Sequence, residues 1–212
     1  MKKNGFTFVE LLAMLTVIGI IMLVAIPNIS GMLKNQRLGS LKTDATSMVE
    51  SAKAKAGKDR LMPKPKVGEC IVFPLNYLDD NENIIKGPNG GLYDQFDSIV
   101  VYTRVDNKYK YYVRLVEIYN NKRIGVSLIE STSIDSLKYG DIGEIDDNIG
   151  LTKDDNRSTS IEKLESFGSI TAKCNDVIGY YSGGNYCVYY NGIYYDDEGN
   201  KVSASRFEEV CS

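Results

Sequence analysis

From Phe6 to Ile26 the chain carries a single ionisable residue, Glu10, in an otherwise uncharged and strongly apolar run. At about 1.5 Å of rise per residue, roughly 21 helical residues span about 31 Å, close to the ~30 Å thickness of bilayer hydrocarbon. The run is predicted to be a helix able to cross a membrane. A carboxylate within such a segment costs on the order of 2.5–3.5 kcal/mol, so Glu10 requires a partner, a functional reason, or a position at headgroup depth where it stays solvated.

What precedes the run matters as much as the run itself. A general secretory signal is cut after its apolar core, at a small-residue site. Here a short basic leader with Lys2 and Lys3 ends at Gly5, ahead of the core, and a cut after Ala25 would lack a small-x-small pattern. Lys2, Lys3, Gly5, Phe6, Thr7, Phe8, Val9, Glu10 and Leu11, followed by an apolar run containing Gly19 and closing at Pro27, resemble the type IV prepilins, the pseudopilins of secretion systems and the competence pilins. The resemblance covers the N-terminal quarter of the chain.

This resemblance implies a cut between Gly5 and Phe6 by a membrane-embedded prepilin peptidase and methyltransferase, with Phe6 then N-methylated. It implies polymerisation with itself and other pilins through the N-terminal helix, on an assembly platform driven by cytoplasmic ATPases. The freed α-amino group of one subunit would meet Glu10 of a neighbour, and such a pair in low dielectric would fix axial register. Lys2 and Lys3 on one side compete with Lys34, Arg37 and Lys42 on the other, so loop charge alone does not set orientation. The resemblance does: a single-pass membrane protein with its N-terminus in the cytoplasm before assembly, and an extracellular or envelope-spanning filament after it.

Beyond Pro27, Ile29, Met32, Leu33, Leu41, Ala45, Met48, Val49, Ala52 and Ala56 recur at three- and four-residue intervals, which predicts an amphipathic helix to about Ala56. Gly57 can stop it, and Pro63 and Pro65 forbid continuation. Pro27 and Gly19 weaken the rod between its halves, as a kink or, by the resemblance, as a stretch that loosens. From Val67 the period changes to two. Ser98–Val105, Tyr109–Ile118 and Ile124–Glu130 read as an antiparallel meander, and Tyr186–Tyr190 with Ile193–Tyr195 as a hairpin about Asn191-Gly192. Residues 131–160 read as a polar surface loop and Ile161–Phe167 as a short helix capped by Ser160.

The expected class is α+β and pilin-like, a long N-terminal helix packed on an antiparallel sheet. Its parts are a leader (1–5), a transmembrane and assembly helix (6–27), an amphipathic helix (28–57) and an exported β-rich domain (58–212).

Cys70, Cys174, Cys187 and Cys211 all fall in that last domain, where an oxidising setting favours disulfides. Two pairings stand close together: Cys174–Cys187 with Cys70–Cys211, which is favoured, and Cys187–Cys211 with Cys70–Cys174. Zinc-knuckle spacing is absent, and neither Asp79-Asp80-Asn81-Glu82-Asn83 nor Asp196-Asp197-Glu198-Gly199-Asn200 fits a calcium-loop template, so no metal or cofactor is expected. The chain has no histidine and no nucleophile motif, which weighs against an enzyme. A formal charge of −3 argues weakly against a general nucleic-acid surface, and the 15 tyrosines read as sheet packing before they read as stacking platforms. The leading functional expectation is a filament subunit serving adhesion, motility, DNA uptake or secretion. The alternative is a single-pass membrane-anchored surface binding protein that does not polymerise.

Overall fold

The computed structural model describes residues 7–58, 62, 64–79, 84, 86–145, 150–151, 162–168, 172–180, 188–190, 193–195 and 201–206. Helix α1 (Phe8–Lys58) comes first, and its 51 residues run helical through Gly19 and Pro27 to a stop beside Gly57. The head follows: β1 (Glu69–Pro74), the short turn α2 (Leu75–Leu78), β2 (Leu92–Tyr93), β3 (Ile99–Val105), β4 (Lys108–Tyr119) and β5 (Lys122–Glu130). Two 3-10 turns, Ser131–Ser136 and Tyr139–Asp141, lead to β6 (Gly143–Glu144), and a helical turn covers 162–168. The C-terminal strands are β7 (Asp176–Tyr180), β8 (Val188–Tyr190), β9 (Ile193–Tyr195) and β10 (Lys201–Val202).

The main sheet has the order β6-β5-β4-β3-β1-β7, with β2 also paired to β4. The central meander lies where the period-two pattern placed it. Its hairpins turn on Asp106-Asn107 and Asn120-Asn121, all four at positive φ, which suits the right-handed twist of the flanking strands and is tolerated best by Asn and Asp. Between β4 and β5 the ladder shifts register after Val113, and a Cβ at Gly125 would lie 1.9 Å from the Leu115 carbonyl oxygen, so only glycine fits that approach.

The sheet is mixed, not purely antiparallel. β7 pairs with β1 in parallel, Cys70 facing Val177 and Ile71 facing Gly179. Alternation finds strands and hairpins but carries no trace of a pairing across about 100 residues of sequence. Strands β8, β9 and β10 form a second, antiparallel sheet of three. The Asn191-Gly192 turn and Ser160 lie outside the described residues.

Both faces of the main sheet are covered. On one, Ile71, Phe73, Val100, Val113, Leu115 and Val126 meet Leu41, Ala45, Met48, Val49 and Ala52 of α1. On the other, Cys70, Val72, Ile99, Val101 and Leu128 meet Leu151, Leu164, Ala172, Cys174 and Val177. Residues 131–160 are therefore not simply a polar surface loop: Ile134, Leu137, Ile145 and Leu151 are buried, sparse apolar anchors in a polar stretch. α1 packs its apolar face on the head from Leu38 onward. Ile29, Met32 and Leu33 are exposed, so the amphipathic pattern that begins at Ile29 finds its partner only from Leu38 onward.

The second face also holds buried charge. Asp97 accepts from Arg114 Nε at 3.0 Å and Nη2 at 2.7 Å, from Arg123 Nη2 and from the Leu151 backbone N–H at 3.3 Å. Arg123 also reaches Asp94 at 3.2 Å, and the Arg114 guanidinium lies over the Phe167 ring. This cluster ties Leu151 and Phe167 to β4 and β5. Removing one partner of a buried ion pair typically costs about 3–5 kcal/mol because the other charge is stranded. Asp97→Ala is expected to lose stability of that order in urea unfolding of the detergent-solubilised chain.

A second carboxylate sits in the seam between helix and sheet. Asp44 accepts from the Tyr93 hydroxyl at 2.8 Å. Burial raises its pKa above the ordinary aspartate value, and the Glu117 charge adds to this against the opposing Tyr93 hydrogen bond. A carboxyl that holds its proton more tightly when folded contributes less stability as pH rises from the unfolded value of about 3.9 through the folded one. The unfolding midpoint should fall over that window in the native protein, and fall less in Asp44→Asn.

Candidate functional site

The feature that demands a partner is the free half of α1. Phe8, Val9, Leu11, Leu12, Met14, Leu15, Val17, Ile18, Ile20, Ile21, Met22 and Leu23 are all exposed, from 47% at Ile18 to 78% at Leu23, and they point in every direction around the axis. A helix that is apolar all round is stable only where it is surrounded. The head does not surround it. Among the described residues no helix is long and apolar enough to cross a membrane; the predicted span of Phe6–Ile26 includes Phe6 and the side chains at 24–26, which lie outside them.

Gly5 and Phe6, the expected scissile pair, are also outside the described residues. Glu10 is within them, and it has polar partners in its own first turn. The Glu10 carboxylate accepts from the backbone N–H and the hydroxyl of Thr7, both at 2.9 Å, while the Glu10 backbone N–H donates to the Thr7 hydroxyl at 3.3 Å. This is a reciprocal capping box, and the negative charge also sits at the favourable end of the helix dipole. The T-x-x-E spacing of Thr7-Phe8-Val9-Glu10 is the sequence signature of this cap. Gly19 leaves open space where a side chain would be, with nothing within 4 Å of an added Cβ. At Pro27 the backbone remains helical.

The described disulfide joins Cys70 to Cys174, with Cα atoms 5.5 Å apart. The favoured pairing of Cys174 with Cys187 and Cys70 with Cys211 is thereby excluded. Its rationale was sequence proximity around the last hairpin, whereas the parallel β1–β7 pair brings the two residues together across 104 positions. Cys187 and Cys211 lie outside the described residues.

Among the described residues the buried charged groups Asp97, Arg114 and Glu117 are taken up in structural bonds. Glu117 is held by the Asn89 and Gly91 backbone N–H groups at 3.0 and 2.7 Å and by Asn89 Nδ2 at 2.8 Å, and a Cβ at Gly87 would collide with it. All its bonds organise the loop before β2. Among the described residues no cluster of His, Cys, Asp or Glu could hold a metal ion. Asp79 of the first acidic turn bonds the Ile84 backbone N–H; residues 80–83 and the whole of 196–200 are outside the described set. Three tyrosines do assemble on the helix side of the sheet: Tyr102 stacks on Tyr111 at 4.8 Å between centroids and tilts against Tyr109 at 5.4 Å. Burial pushes the Tyr102 phenol up to about 12, and only Tyr109 of the three is exposed, so these rings are cross-strand packing before they are a platform.

Comparison with family models, with curated proteins and with solved structures found no match to this chain.

Non-reducing peptide mapping should recover Cys70 and Cys174 in one linked pair, and Cys187 with Cys211 in a second. On the chain-entropy model, a loop of about 100 residues stabilises by roughly 4–5 kcal/mol. The Cys70→Ser, Cys174→Ser double variant should therefore unfold several degrees earlier in a thermal scan.

Proposed function

We propose that the chain is a structural subunit of a type IV pilus or a related pseudopilus filament, cut between Gly5 and Phe6, N-methylated at Phe6, and polymerised with itself and other pilins through α1. The observation that carries this reading is the half-used helix: its C-terminal turns are buried in the head, while Phe8–Leu23 is apolar on every side and has nothing to cover it. An α+β head with a long N-terminal helix laid on the sheet supports the pilin-like form of the fold. Before assembly the same helix would anchor the subunit in the membrane, with the leader in the cytoplasm and the head outside. Assembly then exchanges lipid for neighbouring helices. In this scheme the prepilin peptidase, the platform and its ATPases act on the subunit, which itself catalyses nothing.

One observation favours the second reading, a membrane-anchored binding protein that does not polymerise. The Thr7 cap gives Glu10 polar partners inside its own chain, so no neighbour's amino group is needed to explain a carboxylate at that depth. The two readings separate experimentally. In a strain lacking the native copy, Glu10→Leu should enter the membrane fraction as well as the native chain, because it removes a charge worth a few kcal/mol at depth. Sheared filaments should be lost, since an incoming α-amino group without its partner typically costs about 3–5 kcal/mol. Glu10→Asp should assemble weakly, and Thr7→Val, which keeps the carboxylate, should assemble better than Glu10→Leu. Terminal peptide mapping should find Phe6 first. An intact Met1 in the membrane fraction, with no sheared filaments from the native chain, would instead establish the anchored, non-polymerising reading.

A further inference from the structure

Between Glu10 and Asp44 the chain has no acidic residue, and its charges there are Lys34, Arg37 and Lys42. They occupy the stretch where α1 reaches the head. The Lys34 ammonium lies 5.4 Å from the centroid of the Tyr139 ring, and Lys42 Nζ donates to the Asp135 carbonyl at 2.6 Å. Tyr139 and Lys138 are exposed at the 3-10 turn that forms this end of the head. The ion pairs among the described residues use other groups, so Lys34, Arg37 and Lys138 have no carboxylate partner among them. Two carboxylates share this end. Asp135 is exposed, and Asp141 is occupied in part by the Lys138 backbone N–H at 2.7 Å.

We propose that this end of the head is a docking surface for anionic phospholipid headgroups, made by Lys34, Arg37, Lys138 and Tyr139. The inference rests on the membrane-crossing reading of Phe6–Ile26. Its geometry follows from helical rise. Lys34 is about 12 Å along the axis from Ile26, and a headgroup layer of roughly 5–8 Å leaves it within a Debye length of about 8–10 Å. Arg37, at about 16 Å, falls near the edge of that range. Lys42, at about 24 Å, is beyond it and serves instead to hold the 131–136 turn against the helix. A cation lying over an exposed tyrosine is a combination suited to facing a bilayer interface, with the positive charge and the amphipathic ring turned toward the headgroups. Each basic group near an anionic surface favours the bound arrangement by roughly fivefold. Docking would fix the tilt of the head on the bilayer while the helix is still in lipid.

The test uses the full chain in vesicles of phosphatidylcholine alone and of phosphatidylcholine with about one third phosphatidylglycerol, a composition chosen to raise the surface charge. Backbone hydrogen exchange over 33–38 and 136–143 is read by mass spectrometry, and retention after an alkaline wash is read in parallel. Exchange in both segments should slow several-fold in the anionic vesicles only. The protection should vanish at about 0.5 M salt and in the Lys34→Glu, Lys138→Glu double variant. It should persist in Lys108→Glu, which changes charge on the β3–β4 hairpin. A retained chain with the same exchange in both vesicle types overturns the docking surface and leaves the membrane reading standing. A chain washed from both vesicle types overturns the membrane reading and the docking with it.

Discussion

Met48 and Ala52 have no solvent exposure, and they hold the midline of the helix against the sheet strands that carry Ile71, Val100 and Leu115. Every other arrangement in the molecule is referred to this seam. It sets which face of the sheet looks toward the helix, and so which residues of β1 and β3 must be covered from behind by Leu151, Leu164, Ala172 and Cys174. It also fixes where α1 leaves the head. N-terminal to Leu38 no sheet lies beneath the helix, and its apolar surface is surrendered to whatever surrounds the protein. Burial is thus divided between an intramolecular half, which folds the head, and an unsatisfied half, which relates the head to its environment.

The elements whose signal is local were readable from the chain. The helix from Phe8 to Lys58, the three meander strands and the two Asp/Asn-rich hairpin turns follow from period, β-branched content and tolerance of positive φ. What escaped sequence reasoning depends on distance in sequence. The strand Glu69–Pro74 is buried on both faces, so it alternates poorly, and its parallel partner lies a hundred residues on. Arg114 in the middle of β4 looks like an outward-facing polar residue until Asp97, Arg123 and Leu151 are brought to it. The pairing of Cys70 with Cys174 is a property of that same parallel register.

The candidate site was legible in a different sense. The composition of Phe6–Ile26 showed that the segment needs an apolar setting, and the structure adds that the head does not supply one. Glu10 stands out in the sequence by its charge; its immediate partner, Thr7, is a matter of helix capping that any exposed helix would use. Two physical accounts of one carboxylate are compatible. A local cap lowers the cost of carrying the charge into lipid, and a capped carboxylate retains acceptor capacity for a cation that arrives later.

The Cys70–Cys174 bond has a mechanical consequence. A chain drawn from its two ends passes tension through the bond and not through the residues it brackets, so the β2–β6 region cannot contribute length while the bond is intact. With 104 positions between the two cysteines, the withheld contour is roughly 350 Å at full extension. Under load the stretch from Cys70 to Cys174 is a closed ring of fixed perimeter, and only chain outside it can pay out, less whatever the expected Cys187–Cys211 bond brackets in turn.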